Sequence, residues 1–88
     1  MDSRQTQADL LSLLNDSPIA SEVTKGYVTE YVYVGEIGLA LEIICSHIYE
    51  NYLPVTEEFF ARLFDVAERL ELQLLIEGIR DLIVTVDG

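Results

Sequence analysis

Residues Glu36 to Asn51 are the stretch that most restricts what this chain can fold into. Ile37, Leu41, Ile44 and Ile48 recur at helical spacing, and Leu39 and Ile43 form a second apolar strip on a different side. Only a narrow seam of Glu42, Ser46 and Glu50, at i, i+4 and i+8, is polar. A helix apolar around most of its circumference needs neighbours on several sides and belongs at the centre of a bundle. A chain of 88 residues is long enough for one small domain around such a helix and too short for a second. The expectation is an all-α fold, a single acidic helical domain over residues 1–88 with four to five helices.

The flanking segments supply those neighbours. A first helix is expected from Ser3 to about Asn15, with Leu10, Leu11 and Leu14 as its apolar stripe. The turn formers Asn15-Asp16-Ser17-Pro18 end it. They also open a second segment, with Ser17 as N-cap and Pro18 at the first helical position, where a missing N–H costs nothing. That segment, Pro18 to Val34, carries two signals. Ile19, Val23, Tyr27, Tyr31 and Val34 share one helical stripe, whereas Tyr27 to Val34 is as β-branched and aromatic as a strand. The stripe's reach back to Ile19 and the cap favour helix, with Gly35 as its terminator.

Tyr52-Leu53-Pro54-Val55 reads as a loop and Thr56 as the cap of a fourth helix. Glu57 and Glu58 complement the positive end of its dipole, and Val55 and Phe60 stand at the two positions of a hydrophobic staple. This helix is expected to run to about Leu70, burying Phe59, Phe60, Leu63, Phe64, Ala67 and Leu70. Glu58 with Arg62 and Asp65 with Arg69 make i, i+4 pairs on its outer face. A last helix, Gln73 to about Val84, places Leu75, Ile79, Leu82 and Val86 on one side and Glu77 and Asp81 outside. Its β-branched end, Ile83 to Val86, frays or extends.

Charge then limits the partners. The chain holds 16 Asp and Glu against 5 Lys and Arg, a net charge of −11, although half of it is apolar. Phosphate neutralisation needs clustered Lys and Arg, so direct nucleic-acid binding and anionic membrane surfaces are excluded as partners. The apolar half is incompatible with an acidic disordered tail. The longest uncharged stretch, Ile43 to Tyr49, is too short to span a bilayer. The polar N-terminus lacks a signal-peptide pattern, and the lone Cys45 cannot make an internal disulfide. A cytoplasmic location is expected, with Cys45 in the core and a basic protein as the partner.

Catalytic chemistry is thinly provided. His47, the one histidine, lies on the wheel beside Glu36, Ala40 and Asn51. Glu36 is three turns away, too far to orient it as a base, and a helix-flank position suffices to explain it. One Cys and one His cannot close a zinc site, and no EF-hand spacing occurs. Gly35-Glu36-Ile37-Gly38 lacks the Lys and the neutral surroundings of a phosphate cradle. No enzyme is expected: no catalytic residue, no metal and no cofactor.

The tyrosines say more. Tyr27, Tyr31, Tyr33, Tyr49 and Tyr52 fall in the middle of the chain, interleaved with Glu30, Glu36, Glu42 and Glu50. Tyr gives rigid contact area with a polar tip, and carboxylates around it steer a cationic partner. Tyr27 and Tyr31 also read as core members of their stripe. The candidate binding residues are therefore Glu30, Tyr33, Glu36, Tyr49, Glu50 and Tyr52.

The run from Tyr31 to Glu50, with Gly35-Glu36-Ile37-Gly38-Leu39-Ala40-Leu41-Glu42 at its heart, resembles the signature of the MafI family of small immunity proteins. The resemblance extends through a short loop, a capped helix and a terminal apolar helix over Pro54 to Leu82, most of the chain. It implies a helical fold, which resolves the second segment toward helix. It also implies a bacterial protein encoded beside a polymorphic toxin of a contact-dependent inhibition or related secretion system. Such a protein binds the toxin's C-terminal domain, often a nuclease and in some cases an RNase, and neutralises it by stoichiometric binding. Within the motif, Gly35 is expected to end a helix and Gly38 to permit close packing. Leu39, Ala40, Leu41 and Ile44 are expected in the core, with Glu36 and Glu50 at the surface. Glu42 either pairs internally with Lys25 or Arg80 or meets the toxin. The alternative is a non-enzymatic acidic adaptor that forms a homodimer through exposed apolar surface.

Overall fold

A computed structural model describes residues 3–84. Helices α1 (Ser3–Asp16), α2 (Glu22–Tyr33), α3 (Ile37–Glu50) and α4 (Glu57–Arg69) are followed by a 3-10 helix, Gln73–Leu82. Two-residue strands, β1 (Val55–Thr56) and β2 (Ile83–Val84), pair in parallel with Val55 opposite Ile83. The described residues form a small all-α bundle with this one minimal sheet. Helix α3 is central, packed against α1, α2 and the 3-10 helix, and its Leu41, Ile44 and Ile48 are fully buried. Those three residues meet Leu10 and Leu13 of α1, Leu63 of α4, and Ile76 and Ile79 in one apolar cluster.

Helix α2 departs from expectation in two respects. It begins four residues late, capped by Ser21, whose side chain accepts from Thr24 N at 3.2 Å. Ser17 instead closes α1: its hydroxyl donates to Leu14 O at 2.7 Å and accepts from Ile19 N at 3.3 Å. The non-helical link after Ser17 turns Ile19 into the core. The helix is also turned about its axis by about one residue, with Tyr31 of the expected stripe still packed against the core. Val28 and Val32 are buried, whereas Val23, Tyr27 and Val34 of the expected stripe are 68%, 56% and 66% exposed. Two apolar stripes compete on this helix. The valines win because they allow close approach, while a buried tyrosine must find a partner for its hydroxyl.

By intrinsic propensity α2 is weak, with Gly26 inside it and Val or Thr at five positions. Tertiary contacts support it, including Gln7 Nε2 of α1, which donates to Val32 O at 2.9 Å. Its end is a Schellman turn: Glu36 N donates to Tyr31 O and Gly35 N to Val32 O, with Gly35 at φ 85° as the sequence anticipates. The same turn ends α3 and α4, where Tyr52 (φ 50°) and Glu71 (φ 58°) occupy the left-handed position without glycine.

Helix α4 is capped by Thr56, which accepts from Phe59 N at 3.0 Å, and the stapling pair Val55 and Phe60 is buried. Phe59, Leu63 and Ala67 point inward as expected, joined by Val66, while Phe64 and Leu70 are only partly buried. Its arginines reach off the helix. Arg62 does not pair with Glu58; its guanidinium binds Asp16 Oδ2 and Ser12 Oγ of α1, each at 2.9 Å. Arg69 keeps Asp65 at 2.8 Å and adds Asp9 at 2.7 Å and the hydroxyl of the buried Thr6 at 3.3 Å. A forked guanidinium satisfies two acceptors on a facing helix better than one flexible carboxylate on its own.

The last segment is 3-10 and not α-helical. A three-residue period stacks Ile76, Ile79 and Leu82 along one line, with Ile76 and Ile79 fully buried. Val86, expected on the same side, lies outside the described residues. Runs this long are uncommon, and reach explains this one. β2 must return to β1 beside the start of α4, whose 13 residues are about 20 Å long. Ten residues of 3-10 helix cover about 20 Å, against about 15 Å as α-helix.

A Cβ on Gly26 would meet nothing within 4 Å, so Gly26→Ala should raise unfolding free energy by about 1 kcal/mol in urea titrations. The hydrogen bond from Arg69 holds the Asp9 carboxyl below its ordinary value of 3.8, against the opposing effect of burial. A depressed folded-state pKa gives stability that is present above the ordinary value and lost as pH falls through the folded one. Denaturation at stepwise lower pH should therefore show Asp9→Asn less stable than the parent at pH 7. The difference should shrink below about pH 4.

Candidate interaction surface

Helices α2 and α3 run antiparallel, joined by the tight turn at Gly35. Near the open end of this hairpin, Thr24 Oγ1 lies 3.3 Å from His47 Nδ1. A groove follows the hairpin between the two helices. Tyr31, Leu39 and Ile43 give it an apolar floor, and Thr24 and His47 flank the open end. Glu42, Ser46 and Glu50, the polar seam of α3, form its outer rim and are exposed. His47 is the half-buried flank residue that its position on the wheel suggests.

All six candidate binding residues are exposed, but they do not form one patch. Glu30, Tyr33 and Glu36 gather near the closed turn of the hairpin. Tyr49, Glu50 and Tyr52 sit at the far end of α3, whose 14 residues put about 21 Å between the two groups. Of the six, only Glu50 lines the groove. Leu39, expected in the core, is 43% exposed, because the core side of α3 is taken by Leu41, Ile44, Cys45 and Ile48. Glu42 does not pair internally: Lys25 lies beside Glu22 at 4.0 Å, and the Arg80 guanidinium sits 5.1 Å above the Phe60 ring. Reading the motif alone misses Leu39, Ile43 and Thr24 as surface residues. The signal for the first two is that the Leu39–Ile43 strip flanks the polar seam.

The electrostatics follow from where the cations go. Arg62 and Arg69 are committed to the α1–α4 contact and Arg80 to Phe60. Residues 22–50 are left with five Glu and one Lys. Burial pushes the Cys45 thiol up to about 12, which disfavours the reactive thiolate at neutral pH. Among the described residues, no three His, Cys, Asp or Glu side chains are grouped to hold a metal ion. No helix among them is long and apolar enough to cross a membrane.

Compared with known proteins, the chain matches no family model, no curated protein and no solved structure.

A second, shallower depression lies on the other flank of α3. Cys45, Ser46, Tyr49, Leu74, Leu75 and Gly78 line it, and Leu74 is 86% exposed. Its glycine is the close-approach position among the described residues, because a Cβ on Gly78 would overlap the Tyr49 ring. Gly38 is not: a Cβ there would make ordinary contact at 3.6 Å with Leu72 Cδ1. Gly78→Ala should thus push the 56%-exposed Tyr49 ring aside, at a cost of at most about 1 kcal/mol in urea denaturation. Adding Tyr49→Ala should recover part of that loss, a non-additivity expected only of residues in contact.

Proposed function

We propose that this chain is a cytoplasmic, non-enzymatic immunity protein of the kind its Gly-Glu-x-Gly-Leu-Ala-Leu-Glu motif resembles. It neutralises a basic toxin C-terminal domain, a nuclease such as an RNase, by stoichiometric occlusion. The observation that carries the reading is the α2–α3 surface, which combines exposed tyrosines and aliphatics with five carboxylates and a single cation. A surface of that composition complements the basic substrate cleft of a nuclease. A specific interface needs about 800 Å² per partner, which one face of a molecule with 5553 Å² of surface supplies.

The exposure of Leu74 beside Tyr49 favours a second reading, an acidic adaptor that dimerises through the 3-10 helix. Co-expression separates the two. With the toxin domain encoded beside it, the chain should restore growth and co-elute as a complex of fixed stoichiometry. No rescue, together with no toxin recovered by pull-down from the native host, would sink the immunity reading.

A further inference from the structure

The geometry points to the α2–α3 groove as the seat of one basic amphipathic segment of the partner protein. The segment's apolar side chains rest on Tyr31, Leu39 and Ile43, and its Lys or Arg side chains reach Glu42 and Glu50. This inference rests on reading the chain as a binder of a basic protein, and it says which of three exposed regions does the binding.

The cleft between α1 and α4 also joins apolar residues to carboxylates, but Arg69 neutralises its Asp9 and Asp65. The α2–α3 groove joins an apolar floor to carboxylates with no Lys or Arg in its lining. The depression beside Leu74 has no charged residue in its lining. The turn that presents Glu30, Tyr33 and Glu36 has carboxylates and a tyrosine at 74% exposure, but none of the three lines the groove. Along the groove the apolar surface continues onto α2, where Tyr27 is 56% exposed one turn from Tyr31. Groups this apolar and this exposed gain from burial in a complex.

Charge selects the occupant. A second copy seated symmetrically here would set Glu42 and Glu50 against their own equivalents, a repulsive arrangement. A nucleic acid meets the same repulsion. Two cations on a protein segment meet none. Glu42 and Glu50 stand eight residues apart on one helix, about 12 Å, too far to share one cation. Two basic side chains two turns apart on a helix match that span.

A probe without the toxin tests the site. A synthetic helix of about 15 residues built from Leu and Lys, its Leu/Glu counterpart and an all-Lys peptide are titrated into the ¹⁵N-labelled full chain at physiological salt. The Leu/Lys helix should shift amides of α2 and α3 along the groove. The all-Lys peptide should bind more weakly, and the Leu/Glu helix should not bind. Glu42→Gln with Glu50→Gln should weaken the Leu/Lys helix by about tenfold or more, the loss expected for two charge-assisted contacts. Glu57→Gln with Glu58→Gln removes the same charge from α4 and should change binding by less than about threefold. Equal losses in the two double variants, or shifts centred on Leu74 and Tyr49, would overturn the assignment.

The toxin rescue assay keeps the two readings apart. Should the parent rescue and the Glu42/Glu50 variant rescue equally well, the groove assignment fails and the immunity reading stands. Failure of the parent to rescue, together with no toxin recovered by pull-down, overturns the immunity reading, while the peptide titration still decides the groove.

Discussion

Two guanidinium groups decide how the rest of this molecule is arranged. Arg62 and Arg69, two turns apart on α4, each take a hydroxyl and a carboxylate from α1: Ser12 with Asp16, and Thr6 with Asp9. The four acceptors follow the pitch of α1, so the clamp fixes both the antiparallel direction and the register of the two helices. It also consumes cations. With only five basic residues in the chain, committing two to one side of the bundle leaves the α2–α3 side strongly anionic. A clamped face and an acidic face follow from a single allocation of charge. The ion pairs are partly exposed, with 30–39% of the arginine side-chain surface accessible. Their worth lies in orientation more than in net energy.

Burial of α3 does the energetic work. Leu41, Ile44 and Ile48 are fully enclosed, and truncating any one of them to alanine removes about 2–5 kcal/mol, a large share of the stability of a small domain. With that side of the helix sealed, the opposite side is free to carry Leu39, Ile43 and the acidic seam. The same helix is thus core on one flank and the exposed, acidic wall of a groove on the other.

Much of this was legible in the sequence, and the failures share a cause. Helix α3, the Thr56 cap, the Val55–Phe60 staple and the Gly35 terminator rest on local signals that the structure keeps. Periodicity could not rank the two stripes of α2, because both have helical spacing and only packing against α1 and α3 chooses between them. Nor could local spacing show that Arg62 prefers a site 46 residues away to Glu58 on its own helix. The 3-10 helix was hidden for a similar reason: Leu75, Ile79 and Leu82 fit an α-period, and only the distance back to β1 demands the longer rise. The candidate residues Glu30, Tyr33, Glu36, Tyr49, Glu50 and Tyr52 were rightly read as surface. Their separation along α3 appears only when the hairpin is built.

The clamp between α1 and α4 also bears on how the fold is reached. Its contacts join residues 46 to 63 positions apart in the chain, whereas α2 and α3 meet across a three-residue turn. Closing a long loop costs entropy before any contact repays it. The α2–α3 hairpin is therefore favoured to assemble early, and α1 docks once α4 exists to receive it. The acidic α2–α3 face is made of local contacts, and the face that locks the fold is made of distant ones.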